Sequence, residues 1–224
     1  MPEITSHVAA PAALTNPGRD CGLCPRLVLY RTENRAKEPA WHNAPVPSFG
    51  ALDAELLIVG LAPGVRGANR TGRPFTGDYA GLLLYHTLIK FGFATGDYQE
   101  RPDDGLRLHN CRVTNAVRCV PPQNLPTPAE NKSCNAFLKA EIAAMPRLRA
   151  ILTLGTVAHL MSLRALGARA AAHKFAHGAM HETGGVRLFN SYHVSRYNTS
   201  TRRLTQDMFE EVVGEIRDFI GTAA

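Results

Sequence analysis

GLAPGVRGANRTGRPFTGD, residues Gly60 to Asp78, follows the apolar run Leu56-Leu57-Ile58-Val59 and leads into the helical pattern LLLYHTLIKFG. Strand, glycine-rich loop and helix in that order is a unit of an open α/β sheet, which binds its ligands outside the carboxyl ends of its strands. Five glycines let the backbone approach a ligand closely, and Arg66, Arg70 and Arg73 add charge suited to phosphate. Phe75 is the one aromatic in the stretch, which suggests a flat ligand stacked on its ring. The loop therefore predicts a site for a phosphate-linked planar base.

Working outward, short apolar or β-branched runs ending near Gly, Pro or polar turns predict strands at Leu56–Val59, Cys111–Val117, Ala150–Leu154 and Val186–Asn190. Helical patterns lie near Asp78–Phe91, Pro128–Ala144 and Gly155–Leu166, and a last one runs from about Thr201 to Ile220. This alternation predicts an α/β fold with helices on both faces of a four-stranded, mostly parallel sheet. The first fifty residues, with seven prolines and the lone Trp41, read as irregular, and Thr95–Leu108 reads as a polar insertion. The expectation is one domain over residues 1–224, with residues 1–20 an irregular tail.

At 224 residues and 45% hydrophobic content, the chain can bury a full core, which excludes disorder throughout. The charge balance of 25 − 19 = +6 and a pI near 9.3 favour an acidic partner such as nucleic acid. No apolar run approaches the ~20 residues of a membrane span, and Pro11 interrupts the weak stretch VAAPAAL. A cytoplasmic monomer with no membrane contact is expected.

Cys21 and Cys24 form C-x-x-C in the head, and Cys119 and Cys134 stand further along, separated by fourteen residues. Four grouped thiols in a cytosolic chain of this size suggest metal or cluster ligation rather than disulfides. Zinc and an iron–sulfur cluster are both open; only one pair is tight, which leans toward iron–sulfur. Cys111, inside a predicted strand, reads as a buried small apolar residue. His173, His177 and His181 recur at four-residue intervals but read as a solvated turn.

SYHVSRYNTSTRRLT, Ser191 to Thr205, joins the last strand to the last helix. His193 falls at the carboxyl end of that strand, on the same sheet edge as the glycine loop, where it can donate a hydrogen bond to a departing group. Ser195, Arg196 and Asn198 suit phosphate contacts. Asn115, near the end of the second strand, has an amide able to read the edge of a pyrimidine-like ring. Phe75 as plain core and Arg70 and Arg73 as solvated charges are the bland alternatives.

GLAPG at Gly60–Gly64, GANRTGRPFTGD at Gly67–Asp78, VTNAVRCVPPQN at Val113–Asn124, HVSRYNTSTRRLT at His193–Thr205 and the four cysteines together resemble the uracil-DNA glycosylase superfamily, most closely its family 5, or type B. The resemblance covers most of the chain, from Cys21 to about Thr205. It implies a three-layer α/β/α fold and a 4Fe-4S iron–sulfur cluster on Cys21, Cys24, Cys119 and Cys134. It also implies excision of uracil, and of other deaminated bases such as hypoxanthine, from DNA.

Under that resemblance Gly60, Phe75, Asn115 and His193 bind the flipped base, and Asp78, Asn115 and His193 carry catalysis. Arg70, Arg73, Ser195, Arg196, Asn198 and Arg202 contact DNA. In related families an acidic or amide side chain in the first motif positions water; here Leu61 stands there, as is typical of family 5, and Asp78 is the nearest remaining carboxylate. Asp78 can equally be the N-cap of the following helix. Val194 departs from the proline usual after the histidine, which predicts altered efficiency rather than lost activity. The competing reading is a non-catalytic iron–sulfur protein that binds damaged DNA.

Overall fold

In the computed structural model, which describes residues 15–221, every residue of the strands β1 (Leu56–Gly60), β4 (Cys111–Asn115) and β5 (Ala150–Leu154) is buried. Strands covered on both faces read as continuous apolar runs, as β1 and β5 do; in β4, CRVTN, Arg112 is buried by pairing with Glu141 instead. Together with β7 (Val186–Ser191) they pair in parallel in the order β4-β1-β5-β7. A fifth strand, β6 (Met180–Thr183), adds antiparallel to the β7 edge. It corrects the expected count of four. Its sequence, MHET, is half exposed and nearly without apolar alternation, and its one signal is the Gly184-Gly185 turn, both residues at positive φ.

Side chains leave the sheet alternately. Leu56, Ile58, Leu152, Leu154 and Phe189 pack with Leu84, Leu88, Phe209, Val213 and Ile216 from α3 (Tyr79–Lys90) and α7 (Gln206–Gly221). Leu57, Val59, Ile151 and Leu188 pack with Leu138, Ala158 and Leu163 from α4 (Pro128–Ala143) and α5 (Thr156–Ala165). The result is the expected α/β/α sandwich. A capping box of Thr127 and Glu130 starts α4.

Three further elements differ from the sequence expectation. The head contains a helix, α1 (Pro25–Lys37), whose inward face is Leu27, Arg31 and Asn34, so polar residues hid its period. The final pattern divides into α6 (Arg196–Ser200) and α7, because Arg202 takes a left-handed φ of 55° and Leu204 plunges into the core. Within the polar insertion, β2 (Ala94–Thr95) and β3 (Arg107–Leu108) pair and turn Tyr98 and Asp104 inward.

Phe49 exchanges two backbone hydrogen bonds with Val113, and so covers the β4 edge. Of the expected N-terminal tail, residues 1–14 lie outside the described residues. No helix among the described residues is long and apolar enough to cross a membrane.

Candidate active site

Gly60 and Asn115 are register partners at the carboxyl ends of β1 and β4. A Cβ placed on Gly60 would stand 2.4 Å from Asn115 Oδ1 and 2.4 Å from Cζ of Phe75. Glycine is thus required for the amide and the aromatic ring to share one slot. The Asn115 side chain is buried and makes no hydrogen bond to any described residue, so its donor and acceptor are both available.

Phe75 holds a left-handed φ of 52°, costly for an aromatic residue and maintained only where the surroundings insist on it. Those surroundings are specific. The Tyr98 hydroxyl donates to the Phe75 carbonyl at 2.9 Å, and the Tyr85 hydroxyl donates to the Pro74 carbonyl at 2.6 Å. Beneath them the Arg73 guanidinium stacks on Phe49, Tyr85 and Tyr98 at 5.3–5.8 Å and forms a bidentate pair with Asp104 at 2.8 and 2.7 Å. Burial alone would raise the Asp104 carboxyl, but this guanidinium brings it down to about 2. Arg73, expected to contact DNA, is instead the buried pedestal of the aromatic loop. Its charge is committed inside the protein.

His193 closes the slot, its ring centroid 6.1 Å from that of Phe75 and tilted by 31°. A Cβ placed on Gly155, the residue after β5, would lie 3.4 Å from the Cβ of His193. The Asn198 amide donates to the His193 carbonyl at 2.8 Å, and Ser195 caps α6 by accepting from the Asn198 backbone. Ser195 and Asn198 therefore build the turn that presents His193. Val194, fully buried in the main core, anchors the same turn from below. The imidazole makes no hydrogen bond to a described residue, and burial pushes its pKa down to about 4. It is neutral at physiological pH, with a donor and an acceptor on opposite nitrogens.

Asp78 occupies the N-cap position of α3, but its side chain makes no capping hydrogen bond. Oδ1 is buried without a partner. The carboxylate lies against Gly64 and Gly67, where a Cβ would fall 2.9 and 2.1 Å from Oδ2. Burial raises its pKa, against the opposing pull of the Ala80 and Gly81 backbone amides. A buried carboxylate with a raised pKa and one oxygen unpartnered among the described residues is suited to accept a proton.

Among the other expected DNA contacts, Arg70, Arg196 and Arg202 are exposed and have no carboxylate partner among the described residues. Arg196 lies over the Tyr79 ring at 5.5 Å, and Arg203 over Tyr192 at 4.7 Å. Sequence reading did not single out Tyr98 and Asp104, which hold the aromatic loop, nor Tyr197, which is 70% exposed two residues past Ser195. Only tertiary placement distinguishes these from ordinary polar-loop residues.

Cys21, Cys24, Cys119 and Cys134 line one closed, apolar pocket with Leu27, Val117 and Phe137, and all four are free thiols. Burial, then neighbouring sulfurs, push Cys24 up to about 11; burial takes Cys119 up to about 12. Arg31, 3% exposed, donates to Cys119 Sγ at 3.7 Å and to the Cys21 carbonyl at 3.0 Å, and its Nε is buried with no acceptor. The Arg118 amide donates to Cys134 Sγ at 3.4 Å. Among the described residues, no three His, Cys, Asp or Glu side chains are grouped as around a single metal ion. Cys111 is buried elsewhere, its thiol donating to the Phe93 carbonyl. His173, in the segment before β6, meets His181, within β6, ring to ring at 5.3 Å, while His177 stacks on Tyr192.

The sequence profile of the uracil DNA glycosylase superfamily matches residues 47–217, a span that holds β1, the glycine loop, Asn115 and His193. The chain belongs to this superfamily. Among its relatives are proteins named type-5 uracil-DNA glycosylase. The one from Thermus thermophilus is 45% identical over 208 residues, 90% of this chain and 94% of the relative. Those from Mycobacterium tuberculosis and Pyrobaculum aerophilum are 42% and 40% identical, over 90% and 87% of this chain and 78% and 86% of their own. A type-4 uracil-DNA glycosylase from Thermotoga maritima is 34% identical over 55% of the chain and 51% of its own. These three type-5 proteins share more identity, over more of the chain, than this type-4 protein does, in accord with the motifs.

Proposed function

We propose that this glycosylase-superfamily protein hydrolyses the N-glycosidic bond of uracil in DNA, leaving an abasic site for repair. The observation that carries the reading is the convergence of Gly60, Asn115, Phe75 and His193 at the carboxyl ends of the strands, where an aromatic ring and an uncommitted amide lie together. Extruding a nucleotide costs a few kcal/mol, and stacking on Phe75 offsets ~1–3 kcal/mol of it. The Asn115 amide matches the ring N–H and adjacent carbonyl of uracil. As the bond breaks, the sugar gains positive and the base negative charge; neutral His193 donates a hydrogen bond to the base oxygen, and DNA phosphates favour the sugar cation. Asp78 accepts a proton from the water that attacks C1′, its Oδ1 being free to do so.

Hypoxanthine presents the same N–H and carbonyl pair on its six-membered ring, so it belongs to the proposed substrate range. Incubating the protein with single- and double-stranded oligonucleotides carrying uracil, hypoxanthine or thymine opposite guanine, and scoring abasic sites, tests both parts. Binding without base release would overturn the catalytic reading.

The proposal includes a 4Fe-4S cluster held by Cys21, Cys24, Cys119 and Cys134. Its support is Arg31, a guanidinium buried without a carboxylate partner, which is costly unless an anion faces it; thiolates and the cluster they carry would be that anion. When bound, the cluster supplies cross-linking of the head to the Cys119–Cys134 segment. Iron and acid-labile sulfide in a brown protein are expected. A colourless protein carrying zinc would overturn the assignment.

A further inference from the structure

Against the glycine loop, at Arg70 and Thr71, lies a groove of about 460 Å³ lined also by Arg19, Trp41, His42 and Arg101, with Glu100 as the carboxylate on its wall. We infer that this groove is a second nucleic-acid contact, which stacks a nucleobase of the substrate strand on Trp41 and holds its phosphate between Arg19 and Arg70. The inference deepens the glycosylase reading and rests on it.

Three features carry it. The first is chemistry: an indole face set among three guanidinium groups is the combination that tracks single-stranded nucleic acid, aromatic for the base and cationic for the backbone. Among the described residues Arg19 and Arg70 have no carboxylate partner, and Arg101 pairs with the exposed Asp103 at 3.8 Å and donates to Gln99 Oε1 at 3.0 Å. The groove therefore keeps its positive charge.

The second is rigidity. His42 and Asn43 donate backbone hydrogen bonds to the carbonyls of Arg70 and Asn69, both at 3.0 Å, and Asn69 donates its side-chain amide to Asn43 at 2.9 Å. His42 rests on Gly72, where a Cβ would come within 2.9 Å of its Nδ1. One wall of the groove is thus zipped to the loop that ends in Phe75. A base held on Trp41 is in fixed relation to the base slot.

The third is the opposite wall. Arg35 donates to the carbonyls of Arg19 and Asn43 at 3.2 and 2.9 Å and pairs with Asp20 at 2.7 Å, spanning both sides of the groove. Arg19 stands two residues before Cys21, so the thiol pocket fixes the position of this wall. The head then has a purpose in the reaction: it extends the DNA footprint past the extruded nucleotide.

Trp41 is the only tryptophan, so tryptophan emission reports this groove alone. The test titrates the full chain with an oligodeoxythymidylate carrying one central uracil, and with inorganic phosphate and free thymidine monophosphate as separate arms. Saturable quenching by the oligonucleotide is expected, with little from either small anion. Trp41→Leu should weaken oligonucleotide binding roughly tenfold, the loss of one stacked base. Arg19→Gln should lower the slope of log K against log salt by about 0.7–0.9. Thermal melts of both variants separate a lost contact from a lost fold. Unchanged emission at saturating DNA, while uracil is still released, overturns the groove and leaves the active site standing. Quenching without uracil release overturns the glycosylase reading instead.

Discussion

Replacing Gly60 by alanine adds one methyl group at the point where the slot is narrowest. Gly60 has no positive φ, so the backbone accepts alanine and the effect is steric. The new Cβ would sit 2.4 Å from both Asn115 Oδ1 and Phe75 Cζ, whereas ordinary contact begins near 3.4 Å, so each must retreat by 3.4 − 2.4, about 1 Å. Phe75 cannot swing freely, because Tyr98 and the Arg73 pedestal hold its backbone. A misplacement of about 1 Å in a positioning group costs about 100-fold in rate. Overpacking of about one methylene costs about 1–3 kcal/mol, or roughly 2–12 °C in melting temperature for a chain of this length. The assay is kcat/KM for uracil release from a single-stranded oligonucleotide, paired with a thermal melt. Gly60→Ala with unaltered turnover would refute the slot, since ring and amide could not then lie where they are.

His193→Ala removes the hydrogen bond to the departing base and should lower kcat by about 100- to 1,000-fold, measured in single turnover. The same residue governs acid stability: its folded pKa of about 4 lies below the unfolded 6.5, so only the unfolded chain gains the proton between them, and stability falls as pH drops through that window by on the order of 3 kcal/mol. Urea melts of the His193→Gln variant should show a flatter dependence there; an identical curve would remove His193 from that role. Asp78→Asn should reduce kcat by 100- to 10,000-fold with little change in melting temperature, as expected of a base and not of a cap; the opposite pattern would restore the capping role. Arg73→Ala should destabilise the fold by about 3–5 kcal/mol by stranding buried Asp104, whereas Arg196→Ala should leave the melt intact and reduce the salt slope of DNA binding by about 0.9.

Much of the sheet is legible because β1 and β5 are covered on both faces and spell out apolar runs, whereas β4, CRVTN, is marked only by Cys111 and its β-branched Val113 and Thr114. The α1 helix is not legible, because two of its three buried residues are Arg31 and Asn34, placed there by the thiol pocket and by a backbone carbonyl. A buried polar residue carries no periodic signal until its partner is known. The same reason misassigned Arg73: an arginine in a glycine loop looks the same in sequence whether its partner is a phosphate or Asp104, thirty-one residues away.

By itself, the sequence determined the strand–loop–helix order, the superfamily motifs and the four cysteines, all properties of local pattern and spacing. Tertiary structure decided which side chains remain available for chemistry. It left Asn115 and Asp78 Oδ1 without partners, turned Arg73 inward and put Trp41 in a cationic groove. Availability depends on what distant segments bring within hydrogen-bond range, and that range of about 3 Å is settled only by packing.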